Sequence, residues 1–126
     1  MVALTRSRVR LISVPGTEWV DRGYALEDME PGDLVQVDAA VEATGAYDMR
    51  VEKATGTDAC GIVIKAVTAG GLCEFAKIGE VDGFVGLTPN ALYSIVAGAI
   101  DTTAPGAGVT KHFRARNATS IWFNLL

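Results

Sequence analysis

"GIVIKAVTAGGLCEFAKI", residues Gly61–Ile78, places two apolar runs on either side of a Thr-Ala-Gly-Gly break. In the first run Ile62, Ile64 and Ala66 share one face, and Val63, Lys65 and Val67 the other. Both faces are mostly apolar, which predicts a strand that is central or bound by a neighbour. In the second run Cys73, Phe75 and Lys77 alternate with Leu72, Glu74, Ala76 and Ile78. The pair reads as a hairpin, with Gly70 and Gly71 expected to supply the positive φ of its turn.

Strand signals continue on both sides. Upstream, "VRLISV" (Val9–Val14) is β-favouring and stops at Pro15-Gly16. Leu34, Val35 and Val37 read as a strand leaving the Pro31-Gly32 turn, and a weak strand is expected from Met49 to Ala54. Residues Ala25–Glu30 are expected to form one helical turn, and a helix across Ala39–Thr44 competes with irregular structure. Downstream, "GEVDGFVG" gives a short strand, and another runs up to Val96 before a loop through Pro105, Gly106 and Gly108. "VTKHFRAR" alternates strictly, with Phe113 and Ala115 on one face and His112, Arg114 and Arg116 on the other. In the last strand Ile121, Phe123 and Leu125 face one way, and Trp122 and Asn124 the other. No helical period lasts for a dozen residues. The expectation is an all-β chain, a small antiparallel β-barrel or sandwich.

A length of 126 residues with 49% apolar residues suits one domain with a real core. The division expected is an N-terminal arm over residues 1–10 and a single β domain over 11–126. Charge is uneven. Residues 1–17 carry +3 from Arg6, Arg8 and Arg10, residues 18–58 carry -8, residues 59–101 carry -2 and residues 102–126 carry +3. An acidic body with basic ends opposes the phosphate contacts of nucleic-acid binding, and fits an end that meets an acidic partner surface. No apolar stretch reaches the length of a membrane-spanning helix. Arg6, Arg8 and Arg10 interrupt any run of signal-peptide length, so Cys60 and Cys73 are expected as buried free thiols in a cytosol.

The search for chemistry yields no catalytic set. His112 lies among cations, with no acid or nucleophile in its local sequence, and reads as an exposed strand histidine. Cys60 and Cys73 lack the clustered spacing of zinc ligands. "EDMEPGD", with Glu27, Asp28, Glu30 and Asp33, lacks the spaced ligands of a calcium loop and reads as a solvated acidic turn. Gly70-Gly71 is followed by no lysine and hydroxyl pair, so it is not a phosphate loop. Trp19, Tyr24, Tyr47, Trp122 and Phe123 suit a sugar or nucleotide platform, or else core and subunit contacts. No cofactor is expected. What remains is an interaction protein, with more apolar strand surface than one small barrel hides.

The order "EPGDLVQV", "GIVIKAVTAGG", "GEVDGFVGLTPNALYSI", a Pro/Gly loop and "VTKHFRARNATSIWFNLL" resembles the capsid decoration, or cement, proteins of tailed bacteriophages. The resemblance covers roughly residues 23–126. It rests on a Gly-Leu-Thr-Pro corner leading to a tyrosine-bearing strand, then on a final Ala-Thr-Ser strand. In that family glycine usually follows Thr-Pro, where this chain has Asn90. Pro89 and Asn90 still suit a type I or type II turn. The resemblance implies a non-enzymatic homotrimer on the outside of a phage head, at three-fold positions, assembled in the bacterial cytoplasm. Its partner would be the major capsid protein, with Arg6, Arg8 and Arg10 of the arm binding the shell. Tyr93, Trp122 and Phe123 would be subunit contacts. A phage tail or fibre β domain that binds host glycan is the first alternative, and a small lyase or hydrolase the second. Deleting residues 1–10 is expected to weaken shell binding more than thermal stability.

Overall fold

The computed structural model describes residues 5–13, 19–38, 49–101 and 113–125. Twelve strands run through them: β1 (Thr5–Ser13), β2 (Val20–Ala25), β3 (Leu34–Val37), β4 (Arg50–Lys53), β5 (Gly61–Val63), β6 (Leu72–Ala76), β7 (Ile78–Val85), β8 (Leu92–Tyr93), β9 (Ile95–Val96), β10 (Ala99–Ile100), β11 (Phe113–Ala115) and β12 (Ser120–Asn124). The chain is all-β in these residues. Strands β2-β4-β3-β5-β6 close into a barrel, and β1-β7-β12-β11-β8 form a five-stranded sheet. β9 and β10 make a separate hairpin.

The Gly61–Ile78 reading holds at its core. Ile62 stands opposite Ala76 and Val63 opposite Phe75, antiparallel. The two-sided burial of β5 has a clear cause. Val63 points into the barrel, against Val35, Val51, Cys73 and Phe75. Ile62 points out of it, into a second core shared with Val81, Phe84, Tyr93, Phe113, Ile121 and Phe123 of the large sheet. The same division separates Val35 from Leu34 and Phe75 from Ala76. One wall of the barrel is thus a layer between two cores. Of the two glycines in the intervening turn only Gly70 takes positive φ, at 88°.

The barrel is antiparallel except where β2 lies parallel to β4. Five strands cannot alternate in direction around a closed ring, so one parallel pair is unavoidable. Residues 25–30 form no helical turn. Ala25 ends β2, and Met29 is buried and bridges Val67. The Ala39–Thr44 helix and the Pro105–Gly108 loop lie outside the described residues.

The arm is the main correction. Residues 5–10 are the first part of β1, paired antiparallel with β7, and Val9 is buried in the shared core. Arg6 faces Phe84 and Arg10 faces Asp82, so three residues of β1 span one of β7 between those pairs. At that point Gly83 has φ 102°. The positive φ of Gly83 breaks the alternation of β7, and Val81 and Phe84 are both buried although they are three residues apart.

Candidate interaction face

The final strand alternates as its sequence predicts. Ile121, Phe123 and Leu125 are buried, while Trp122 is 46% exposed. Register then decides what surrounds the indole. Trp122 lies opposite Glu80 of β7 on one side and Arg114 of β11 on the other. These side chains form one row across the outer face of the sheet. Arg116 continues beyond β11, and its guanidinium carbon stands 5.5 Å from the centroid of the Trp122 ring. Its Nη1 donates to both carboxylate oxygens of Glu80, at 3.0 and 3.1 Å. Glu80 is buried, so the guanidinium acts as its lid and also stacks on the indole.

The next row carries Arg10 and Asp82. Arg10 Nε donates to Asp82 Oδ1 at 2.9 Å and Nη2 to Oδ2 at 3.1 Å, a two-pronged contact. Those bonds, with the attraction of the carboxylate, hold the Arg10 pKa above its ordinary value. Among the described residues this face carries Arg10, Arg114 and Arg116 against Glu80 and Asp82, an excess of one positive charge.

The Gly-Leu-Thr-Pro corner is docked onto the same sheet. Ala91 N–H donates to the Thr88 carbonyl at 3.0 Å, and Asn90 has φ 69°. A positive φ at the third position makes this a type II turn. Asn90 N–H donates to the Ala115 carbonyl at 2.8 Å, Ala115 N–H donates to the Ala91 carbonyl at 3.0 Å, and Arg114 Nη1 donates to the Asn90 carbonyl at 3.0 Å. Pro89 and Asn90 reverse the chain, and the Asn90 carbonyl also holds the guanidinium of Arg114.

The structure sorts the other expected site residues. Tyr93 and Phe123 are buried, at 2% and 4% exposure, so neither lines the outer surface of the protomer. Tyr93 faces Phe113 across β8 and β11, and its hydroxyl accepts a hydrogen bond from Thr88 N–H at 2.9 Å. Arg6 reaches the barrel, where Nη2 pairs with Asp33 Oδ1 at 2.9 Å. The side chain of Arg8 and the whole of Lys111 and His112 lie outside the described residues. Of the three arginines assigned to an arm, Arg6 ties sheet to barrel and Arg10 joins the outer face.

Arg114, Arg116 and Glu80 are the site residues that local reading passes over. The alternation of "HFRAR" marks the two arginines as outward, but only the β11–β12 register sets them beside Trp122. The acids of "EDMEPGD" likewise do more than meet solvent. Asp33 Oδ2 accepts from Glu30 N–H, Asp28 Oδ1 from Ala69 N–H and Glu27 Oε2 from Lys53 N–H. Among the described residues no group of three His, Cys, Asp or Glu side chains could hold a metal ion. Both cysteines are free. Burial raises the pKa of Cys60, and pushes that of Cys73 up to about 11, which leaves both as protonated, unreactive thiols at neutral pH.

A cleft of about 340 Å³ between sheet and barrel is lined by Arg6, Asp33, Lys53, Phe84 and Ile100 among others. Arg6 and Asp33 in its wall are paired with each other. The exposed indole with its flanking guanidinium groups is therefore the stronger candidate surface. No known protein family and no curated protein matches the chain in sequence.

Proposed function

We propose that this chain is a structural virion protein, a decoration or cement protein that binds the outside of a phage head as a homotrimer at three-fold positions and stabilises the shell. The observation that carries the reading is the outer face of the five-stranded sheet, with Trp122 set between Arg114 and the Arg116–Glu80 pair. Trp and Arg are the side chains most often found at the energetic centre of protein contacts. Here they stand on a rigid sheet and cost little to order. The surplus positive charge suits an acidic shell surface. A cement needs many modest contacts repeated by symmetry. A trimer multiplies a single-site affinity by roughly 100-fold or more where geometry permits. The Gly86–Ile95 corner and the final strand also carry the resemblance to decoration proteins.

The partner would be the major capsid protein, and the location the outer capsid surface. An exposed indole also serves glycan binding, which keeps a tail or fibre role as the second reading. The deciding experiment titrates the purified protein onto empty expanded heads and images them. Saturable density at three-fold positions, weakened at least about tenfold by Trp122→Ala or Arg114→Glu, is the expected result. No density on heads, with Trp122-dependent binding to host glycan, would overturn it.

A further inference from the structure

Arg10, Arg114 and Arg116 share the outer sheet face, but their charges are not compensated alike. Arg116 engages the buried Glu80 and stacks on the Trp122 ring. Arg10 engages both oxygens of Asp82. Arg114 has neither kind of partner. Its Nη1 donates to the Asn90 carbonyl at 3.0 Å, a bond that orients the guanidinium without cancelling its charge. Among the described residues no carboxylate forms an ion pair with it. A guanidinium carries five N–H donors in a planar fork, so most of those of Arg114 stay open.

Register sets this open cation between two apolar side chains. Arg114 is exposed, with Trp122 of β12 opposite on one side and the half-buried Leu92 of β8 opposite on the other. A carboxylate brought to Arg114 would be flanked by apolar surface that sheds water as a partner closes over it. An ion pair formed there is stronger than one on open surface. The fork of Arg114 suits both oxygens of one carboxylate. Glu80 and Asp82 do not oppose such an approach, because each is neutralised by its own arginine.

We propose that Arg114 is the specificity residue of the Trp122 face. It receives one carboxylate, from an aspartate or glutamate of the partner protein, while a neighbouring apolar side chain of that partner packs on Trp122. The inference rests on the decoration reading and deepens it. Each contact with the shell is read through a single acidic side chain, in keeping with the single surplus charge of the face, and not through a broad negative field.

Titration of the full chain onto empty expanded heads tests it. The titration is repeated between about 0.1 and 1 M salt, over which the screening length falls from about 10 Å to about 3 Å. Wild-type affinity should fall across that range. Arg114→Gln should weaken binding about tenfold or more at low salt and flatten the salt dependence. Trp122→Ala should weaken binding at least about tenfold at every salt concentration and keep the wild-type slope. Arg114→Lys, which keeps the charge and loses the fork, should fall between wild type and Arg114→Gln. Arg10→Gln combined with Asp82→Asn removes a neutral pair, and should change affinity less than about threefold. Thermal melts close to wild type would show that each variant is folded.

Head binding that is indifferent to Arg114→Gln, or that keeps the wild-type salt slope in that variant, overturns the inference and leaves the decoration role standing. So does an Arg10→Gln, Asp82→Asn variant that loses as much as Arg114→Gln. A wild-type chain that binds no heads overturns the decoration role, and the inference with it. Arg114-dependent binding to a uronic-acid polysaccharide in place of heads would assign the carboxylate to a glycan and likewise overturn both.

Discussion

Asn90 and Ala97 both hold positive φ, at 69° and 50°, and they do so at different cost. Asparagine tolerates the left-handed region, whereas a residue with an ordinary Cβ pays about 1 kcal/mol or more there. Asn90→Ala should therefore lower stability by about 1 kcal/mol, and Asn90→Gly should be neutral or better. Ala97 precedes Gly98 in the β9–β10 turn, where both residues have positive φ, the geometry that favours Asn-Gly. Ala97→Asn should raise stability by about 1 kcal/mol. Urea unfolding of the three variants checks the opposite signs. The Cys73 thiol gives a pH test. Its pKa is about 11 in the fold against an ordinary 9.0, chiefly through burial. The folded chain keeps a proton that the unfolded chain releases. This contribution is whole below about pH 9 and is lost as pH rises towards 11. The urea midpoint should fall over that window, and fall less steeply in Cys73→Ala.

At the scale of elements, the Glu80–Arg116 pair locks β7 to the end of β11 across β12. Removing Arg116 leaves a buried carboxylate without its cation. Arg116→Ala should cost about 2 kcal/mol, discounted from a fully buried pair because the guanidinium is half exposed. Glu80→Gln, which removes the charge and keeps the shape, should cost less. A double-mutant cycle would show whether the stacked Trp122 shares the coupling. Elements were legible where their signal was local. The apolar alternation in Ile62–Val63, Leu72–Ala76 and Ser120–Asn124 needs no distant partner to be recognised. β2 was not, because Asp21, Arg22 and Gly23 break its apolar run, and its pairing with β4 and β6 is non-local. The β9–β10 hairpin hides behind an Ala-Gly turn that carries only half of the usual signal. Trp122 was readable as outward, yet its neighbours Glu80 and Arg114 depend on register. The β1 strand does leave a trace: Arg6, Arg8 and Arg10 alternate with Ser7, Val9 and Leu11, a period of two that the density of positive charge masks.

For the whole molecule, the position of β1 reverses what truncation should do. Residues 5–10 pair with β7, Val9 fills the core between sheet and barrel, and Arg6 crosses to Asp33. Removing residues 1–10 would uncover one edge of β7 and expose the shared core beside Phe84. Burying a side chain such as Val9 stabilises by roughly 1.5–3 kcal/mol, before the loss of strand pairing and of the Arg6 ion pair. At about 3–5 °C per kcal/mol for a chain of this size, the melting temperature should fall by about 10 °C or more. On the proposed decoration role, shell binding should fail together with the fold, since the sheet that displays Trp122 would lose its edge. Arg114→Glu combined with Trp122→Ala should behave differently. Both side chains face outward, so melting should shift by only a few degrees while head binding is lost. Thermal melts and head co-sedimentation on the two proteins separate a strand that builds the binding face from residues that make its contacts. A truncated chain that melts like wild type but no longer binds would return the role to a separate N-terminal arm.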